Sequence, residues 1–122
     1  MIRRAKDDER EERINMEIIV DAYGPEEQAA VWYNYLSDTL QIPFSARCIV
    51  SRATSPLEPG DEVEVVGMAP EEECEHDMFV LIQWKPRQLA VPFMQLEGIQ
   101  VDEETQQAIE DWHYWVNRGY EL

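Results

Sequence analysis

Between residues 8 and 22 charged positions alternate with Ile14, Ile18 and Ala22, whose spacing of four lays an apolar stripe along one side of a helix. Gly24 suits the left-handed position just past a helix. Pro25 suits the first turn of the next, where Glu26 and Glu27 favour the positive end of the dipole. The stripe Ala29, Trp32, Leu36 and Leu40, flanked by Tyr33, predicts a second helix over residues 25–40 that Pro43 ends. The two helices are expected to form a hairpin. Beyond Pro43 the period changes to two. Ala46, Cys48 and Val50 alternate with Arg47, Ile49 and Ser51, and Val63 and Val65 alternate with Glu62 and Glu64. Residues 78–84 read as a buried strand, and residues 89–93 as an edge strand, because Pro92 cannot donate to a ladder. Connections at residues 55–60, 69–77 and 85–88 fit antiparallel neighbours. The helical period returns over residues 102–119, with Asp102 as N-cap, Glu103 and Glu104 in the first turn, and Ile109, Trp112, Trp115 and Val116 as the apolar face. The expected fold is α+β: an N-terminal helical hairpin, a curved antiparallel sheet tending to an SH3-like barrel, and a C-terminal helix across it.

A chain of 122 residues with 44% hydrophobic positions, four Trp and five Tyr can bury one core, so residues 1–122 are expected to be a single domain. The recurring aromatic and aliphatic clusters argue against a disordered acidic tail. Residues 1–10, neutral in sum with the three that follow, are expected to be a mobile charged segment. No apolar run follows the basic residues near the start, and none is long enough to span a membrane. Cys48 and Cys74 give no disulfide framework, which points to a reducing cytoplasm.

Charge changes the picture. The formal net charge is -16, and between residues 58 and 77 there are nine carboxylates and no Lys or Arg: Glu58, Asp61, Glu62, Glu64, Glu71, Glu72, Glu73, Glu75 and Asp77. Such a surface repels itself unless a cation offsets it. Glu62 and Glu64 fit the outer face of a strand. The connection at residues 69–77 carries Glu71, Glu72, Glu73, Glu75 and Asp77 beside free backbone carbonyls, which suits a hard cation such as Ca²⁺ that takes six to eight oxygens in irregular geometry. Three consecutive glutamates cannot all face one point, so one or two of them are expected to ligate, with Glu75 or Asp77 closing the loop. A solvated acidic turn is the plain reading of the same residues, and the commoner one for charge runs.

Asp38 stands near the C-terminus of the second helix, where an anion is misplaced by roughly 0.3–1 kcal/mol. A cation would offset it, and an outward turn or local hydrogen bond would also accommodate it. Other chemistries find little support. The EF-hand pattern is absent, Cys74 and His76 lack the further ligands of a zinc site, and His113 between Trp112 and Tyr114 fits an aromatic cluster. No nucleophile has a recognisable setting, so no enzyme is expected, and nucleic acid would be repelled. A rival reading is an acidic interaction module that docks a basic partner or imitates nucleic-acid charge.

The segments Trp32-Tyr33-Asn34-Tyr35-Leu36-Ser37-Asp38, Pro43-Phe44-Ser45-Ala46-Arg47-Cys48, Gly60-Asp61-Glu62-Val63-Glu64-Val65, Gly67-Met68-Ala69-Pro70-Glu71-Glu72-Glu73-Cys74 and Glu110-Asp111-Trp112-His113-Tyr114-Trp115 together resemble the cyanobacterial calcium-binding family CcbP. The resemblance covers nearly all of the chain after about residue 11. It implies a small acidic cytoplasmic protein that binds and sequesters Ca²⁺ without EF-hands. Asp38 matches the aspartate of the family's helix-two motif, which implies a metal role for it; the acidic loop is a reading of charge and ligand chemistry.

Overall fold

The computed structural model describes residues 7–120 and 122. Helix α1 (Asp8–Arg13) starts at Asp7, whose carboxylate accepts from the Arg10 amide at 3.0 Å. It runs into a π-helical turn, Ile14–Ile18, where the Ile19 amide donates to the Ile14 carbonyl at 3.0 Å. Ile14 and Ile18 are buried as their spacing predicts, but the chain leaves the helix at Ile19, and Ala22 is only half-buried. Gly24 does not take the left-handed position expected of it; its extended backbone is the N-cap of α2 (Pro25–Thr39). Of the segment expected to be mobile, residues 1–6 lie outside the described residues, while residues 7–10 are held in the cap and first turns of α1. The physical reason is Arg10, which reaches Glu110 and Asp111.

Five strands follow: β1 (Phe44–Cys48), β2 (Glu62–Met68), β3 (Phe79–Trp84), β4 (Arg87–Pro92) and β5 (Leu96–Gly98). They pair antiparallel in the order β4-β3-β2-β1-β5, with β4 at an edge as Pro92 predicts. β2 changes register between Val65 and Gly67, the kind of irregularity that bends a strand. The sheet stays open, so the closure of an SH3-like barrel is not formed among the described residues. The short edge strand β5 falls below the length at which alternation can be read. It follows a 3-10 turn, Phe93–Gln95, that brings the chain back beside β1.

Helix α3 (Glu103–Asn117) starts at Asp102, whose carboxylate accepts from the Thr105 amide at 3.2 Å. The core lies between the helices and one face of the sheet. Ala46, Cys48, Val65, Val80, Ile82, Val91 and Leu96 come from the strands, and Trp32, Leu36, Ile109, Trp112 and Trp115 from α2 and α3. Trp32, Trp112 and Trp115 form its centre, with ring centroids 5.1–5.6 Å apart. His113 lies edge-on to Phe93, and burial holds its pKa down despite the nearby Phe93 and Leu96 backbone.

Asp111 is the exception in this core. It sits on the buried face of α3 at 0% exposure, where its carboxylate accepts from Arg10 at 2.8 Å, from both terminal nitrogens of Arg13 and from the Tyr35 hydroxyl at 2.8 Å. One carboxylate thereby ties α1, α2 and α3 together. Burial first, and then the Asp111 charge, push the Tyr35 phenol up to about 12.

Candidate metal centre

The connection between β2 and β3 is fixed at its base and open at its tip. The Ala69 amide donates to the Phe79 carbonyl at 3.1 Å, and the Tyr33 hydroxyl of α2 donates to the Ala69 carbonyl at 2.6 Å. Glu71–Glu73 then form a single 3-10 turn, with the Cys74 amide donating to the Glu71 carbonyl at 2.9 Å. Cys74 points inward and is buried, its sulfur accepting from the Phe79 amide at 3.4 Å. The inward anchors Ala69, Cys74 and Met78 leave Glu71, Glu72, Glu73, Glu75 and His76 exposed. Burial is also the main cause of a raised Cys74 pKa, so the thiol stays protonated at neutral pH and is a poor metal ligand.

Because Tyr33 ties the loop to α2, the loop faces the first turns of that helix. A groove of about 450 Å³ separates them, lined by Glu26, Ala29 and Ala30 on one side and by Glu71, Glu72, Cys74 and Glu75 on the other. The two alanines make the room. Four carboxylates and no basic group line this space. Its field is felt by Tyr33, whose pKa is raised by burial first and then by Cys74, Glu71 and Glu72.

The six residues expected to ligate are thus distributed over three places. Glu71, Glu72 and Glu75 line the groove, and Glu73 is exposed on the same turn. Asp77 turns the other way: it accepts from the Met78 amide at 2.8 Å and lies 3.7 Å from Arg52, beside a smaller cavity lined by Trp112 and Trp115. Burial raises its pKa, and the Met78 amide and Arg52 oppose the shift. Asp38 is exposed near the far end of α2, twelve residues beyond Glu26 and so roughly 18 Å along the axis at about 1.5 Å per residue. No basic residue occupies the last turn of α2.

The donor set of the groove is hard and anionic, which fits Ca²⁺ and disfavours softer metals. Among the described residues, no three His, Cys, Asp or Glu side chains converge closely enough to form a ready coordination sphere. Glu26 was not expected from sequence, where its place in a first helical turn accounts for an acidic residue by itself. The small pair Ala29 and Ala30, one turn further on, is the signal that this helix face leaves room for a neighbour.

The molecule is a small α+β domain with an acidic groove between a helix and a β-connection. The chain belongs to the CcbP family, described as calcium binding, which it matches over residues 12–116. It is similar to the crystal structure of Anabaena CcbP, with 45% sequence identity, a TM-score of 0.86 and 100% of both chains covered. It is also similar to a calcium-binding protein in the calcium-binding form, with 45% identity, a TM-score of 0.84 and 96% of both chains covered. No curated protein matches it.

Proposed function

We propose that this protein binds Ca²⁺ reversibly and buffers it, without EF-hands and without catalysis, in the cytoplasm of a cyanobacterium. The observation that carries the reading is the groove in which Glu26 of α2 faces Glu71, Glu72 and Glu75 across a space free of basic groups. Membership of a family described as calcium binding supports it. The four side chains are exposed, and those of Glu71, Glu72 and Glu75 are on a short connection, so they can swing towards Glu26 at small cost. Binding would then complete a sphere of oxygens and relieve repulsion among neighbouring carboxylates. Glu73 and Asp77 flank this site, and Asp77 would have to leave Arg52 to join it.

Asp38 forms the nucleus of a second, separate position. The last carbonyls of a helix lack intrahelical partners and carry the negative end of its dipole, so they offer neutral oxygens beside that carboxylate. Replacing Asp38 by Asn should weaken one calcium-binding step at least tenfold while leaving the groove step nearly unchanged, as read by titration calorimetry. An unaltered isotherm would remove Asp38 from the set.

Ca²⁺ that binds the folded state alone should stabilise it by about 2.7 kcal/mol at a hundredfold excess over the dissociation constant. Thermal melts in millimolar Ca²⁺ and in equal Mg²⁺ test this. A rise confined to Ca²⁺ is expected, and equal shifts with both ions would reduce the effect to charge screening. Among the described residues, no helix is long and apolar enough to cross a membrane. The proposal includes no membrane or nucleic-acid partner, since the net charge repels both kinds of polyanion.

A further inference from the structure

Seven Lys and Arg fall among the described residues, and five of them are spent on carboxylates. Arg10 and Arg13 hold Asp111, Arg47 lies 3.1 Å from Glu97, Arg52 lies 3.7 Å from Asp77, and Arg118 lies 3.7 Å from Glu11. The two left over, Lys85 and Arg87, sit together at the tip of the β3–β4 hairpin and are both exposed. Neither has a carboxylate within 4.0 Å among the described residues of a chain with a net charge of -16. Trp84, 39% exposed, adjoins them, and Trp84 pairs with Arg87 across the ladder. An indole and two unpaired cations on a tight turn containing Pro86 make a small, stiff, positive knob.

We propose that this knob docks into the acidic groove of a second copy of the chain, and that Ca²⁺ competes with it there; the competition rests on the calcium reading of the groove given above. The groove has what the knob lacks. Ala29 and Ala30 give an apolar floor for the indole, and Glu26, Glu71, Glu72 and Glu75 give partners for the ammonium and guanidinium groups. The two features cannot meet within one molecule. The loop that carries Glu71, Glu72 and Glu75 precedes β3 and the knob follows it, so a six-residue strand of roughly 20 Å at about 3.3 Å per residue keeps them apart. An anionic membrane or nucleic acid would also attract the knob, but it would meet the acidic remainder of the surface at once. A second copy offers its carboxylates where the knob is and can turn the rest of its surface away.

The contact is head-to-tail, so a dimer retains a free groove on one copy and a free knob on the other, and assembly can continue past it. It is also small. A surface well below about 1,200 Å² places it among weak, transient interfaces that need high protein concentration to populate. At physiological ionic strength the screening length of about 8 Å mutes repulsion between distant carboxylates more than it mutes contact pairs. Association should therefore survive moderate salt and vanish near 1 M.

Charge-neutralised halves supply the test. One variant carries Lys85→Gln and Arg87→Gln, and the other carries Glu26→Gln, Glu71→Gln, Glu72→Gln and Glu75→Gln. All six positions are exposed, and circular dichroism checks that both variants fold. In sedimentation equilibrium at about 1 mM protein in EDTA, the wild-type chain should exceed its monomer mass of 14.3 kDa in a concentration-dependent way. Each variant alone should remain monomeric, and an equimolar mixture should approach twice that mass and stop there, because only one knob and one groove remain complementary. Adding Ca²⁺ should return both the wild type and the mixture to monomers. A wild type that stays monomeric, or a mixture that gains no mass, overturns the docking, and since neither arm contains calcium it does so wherever calcium binds. Association that persists in Ca²⁺, while calorimetry shows the ion bound, overturns the competition.

Discussion

Asp111→Ala is expected to cost about 3 kcal/mol of folding stability, the largest effect of any single substitution at a polar residue here. Removing one partner of a buried ion pair costs about 3–5 kcal/mol because it strands the other charge. Two guanidiniums are stranded in this case, and Tyr35 loses its acceptor as well. The low end of the range applies, because Arg10 and Arg13 are partly exposed and water relieves them. For a domain of this size the melting temperature should fall by roughly 10–15 °C. Chemical denaturation measures the effect, and a loss below about 1 kcal/mol would show that the three helices do not depend on this carboxylate. A companion variant with Asp111→Leu, Arg10→Met and Arg13→Met should recover much of the loss, since apolar replacement of a whole buried charge cluster is often neutral.

Neutralising the groove should have the opposite sign without calcium and remove most of the response to it. In Glu26→Gln, Glu71→Gln, Glu72→Gln and Glu75→Gln combined, four like charges that face one another are removed with little change of shape. Close charges near a surface interact by up to a few kcal/mol, and exposed ones by much less, so the calcium-free variant should gain about 0.5–1 kcal/mol. The stabilisation by calcium, about 2.7 kcal/mol at a hundredfold excess, should shrink to whatever Asp38 supplies. Paired melts in EDTA and in Ca²⁺ measure both. A variant that keeps the whole calcium increment would contradict a site in the groove, and one less stable than the wild type in EDTA would show that the glutamates do structural work.

The helices and most strands were legible in the sequence because their periods are long enough to repeat. Ala29, Trp32, Leu36 and Leu40 are all buried as their spacing requires, and Asp102 caps α3 as its position requires. β5 was not legible, because three residues hold no period, and neither was the π-helical turn, because a shift of one hydrogen-bond step leaves the early apolar spacing intact. Asp111 could have been found. It lies three residues after Ala108 and four before Trp115, on the face that the apolar spacing marks as buried, and Arg10 and Arg13 have the spacing of one helical turn. A charge on a buried stripe needs partners, and those were the only two basic groups on a neighbouring helical pattern. At the candidate site, sequence marks the acidic loop as a place for a cation but cannot say which way its members turn. Cys74 decides that by pointing inward, which sends Glu75 into the groove, while Met78 and Arg52 hold Asp77 back. Glu26 joins from a helix forty-five residues earlier through a contact that only the folded chain makes.

The most direct measurement is a crystal structure grown with Ca²⁺ and read by its anomalous signal. A peak is expected between the first turn of α2 and residues 71–75, with oxygens of Glu26 and of at least two of Glu71, Glu72 and Glu75 at about 2.3–2.6 Å. Calcium bound elsewhere in the protein, with those four carboxylates left in solvent, would contradict a site in the groove.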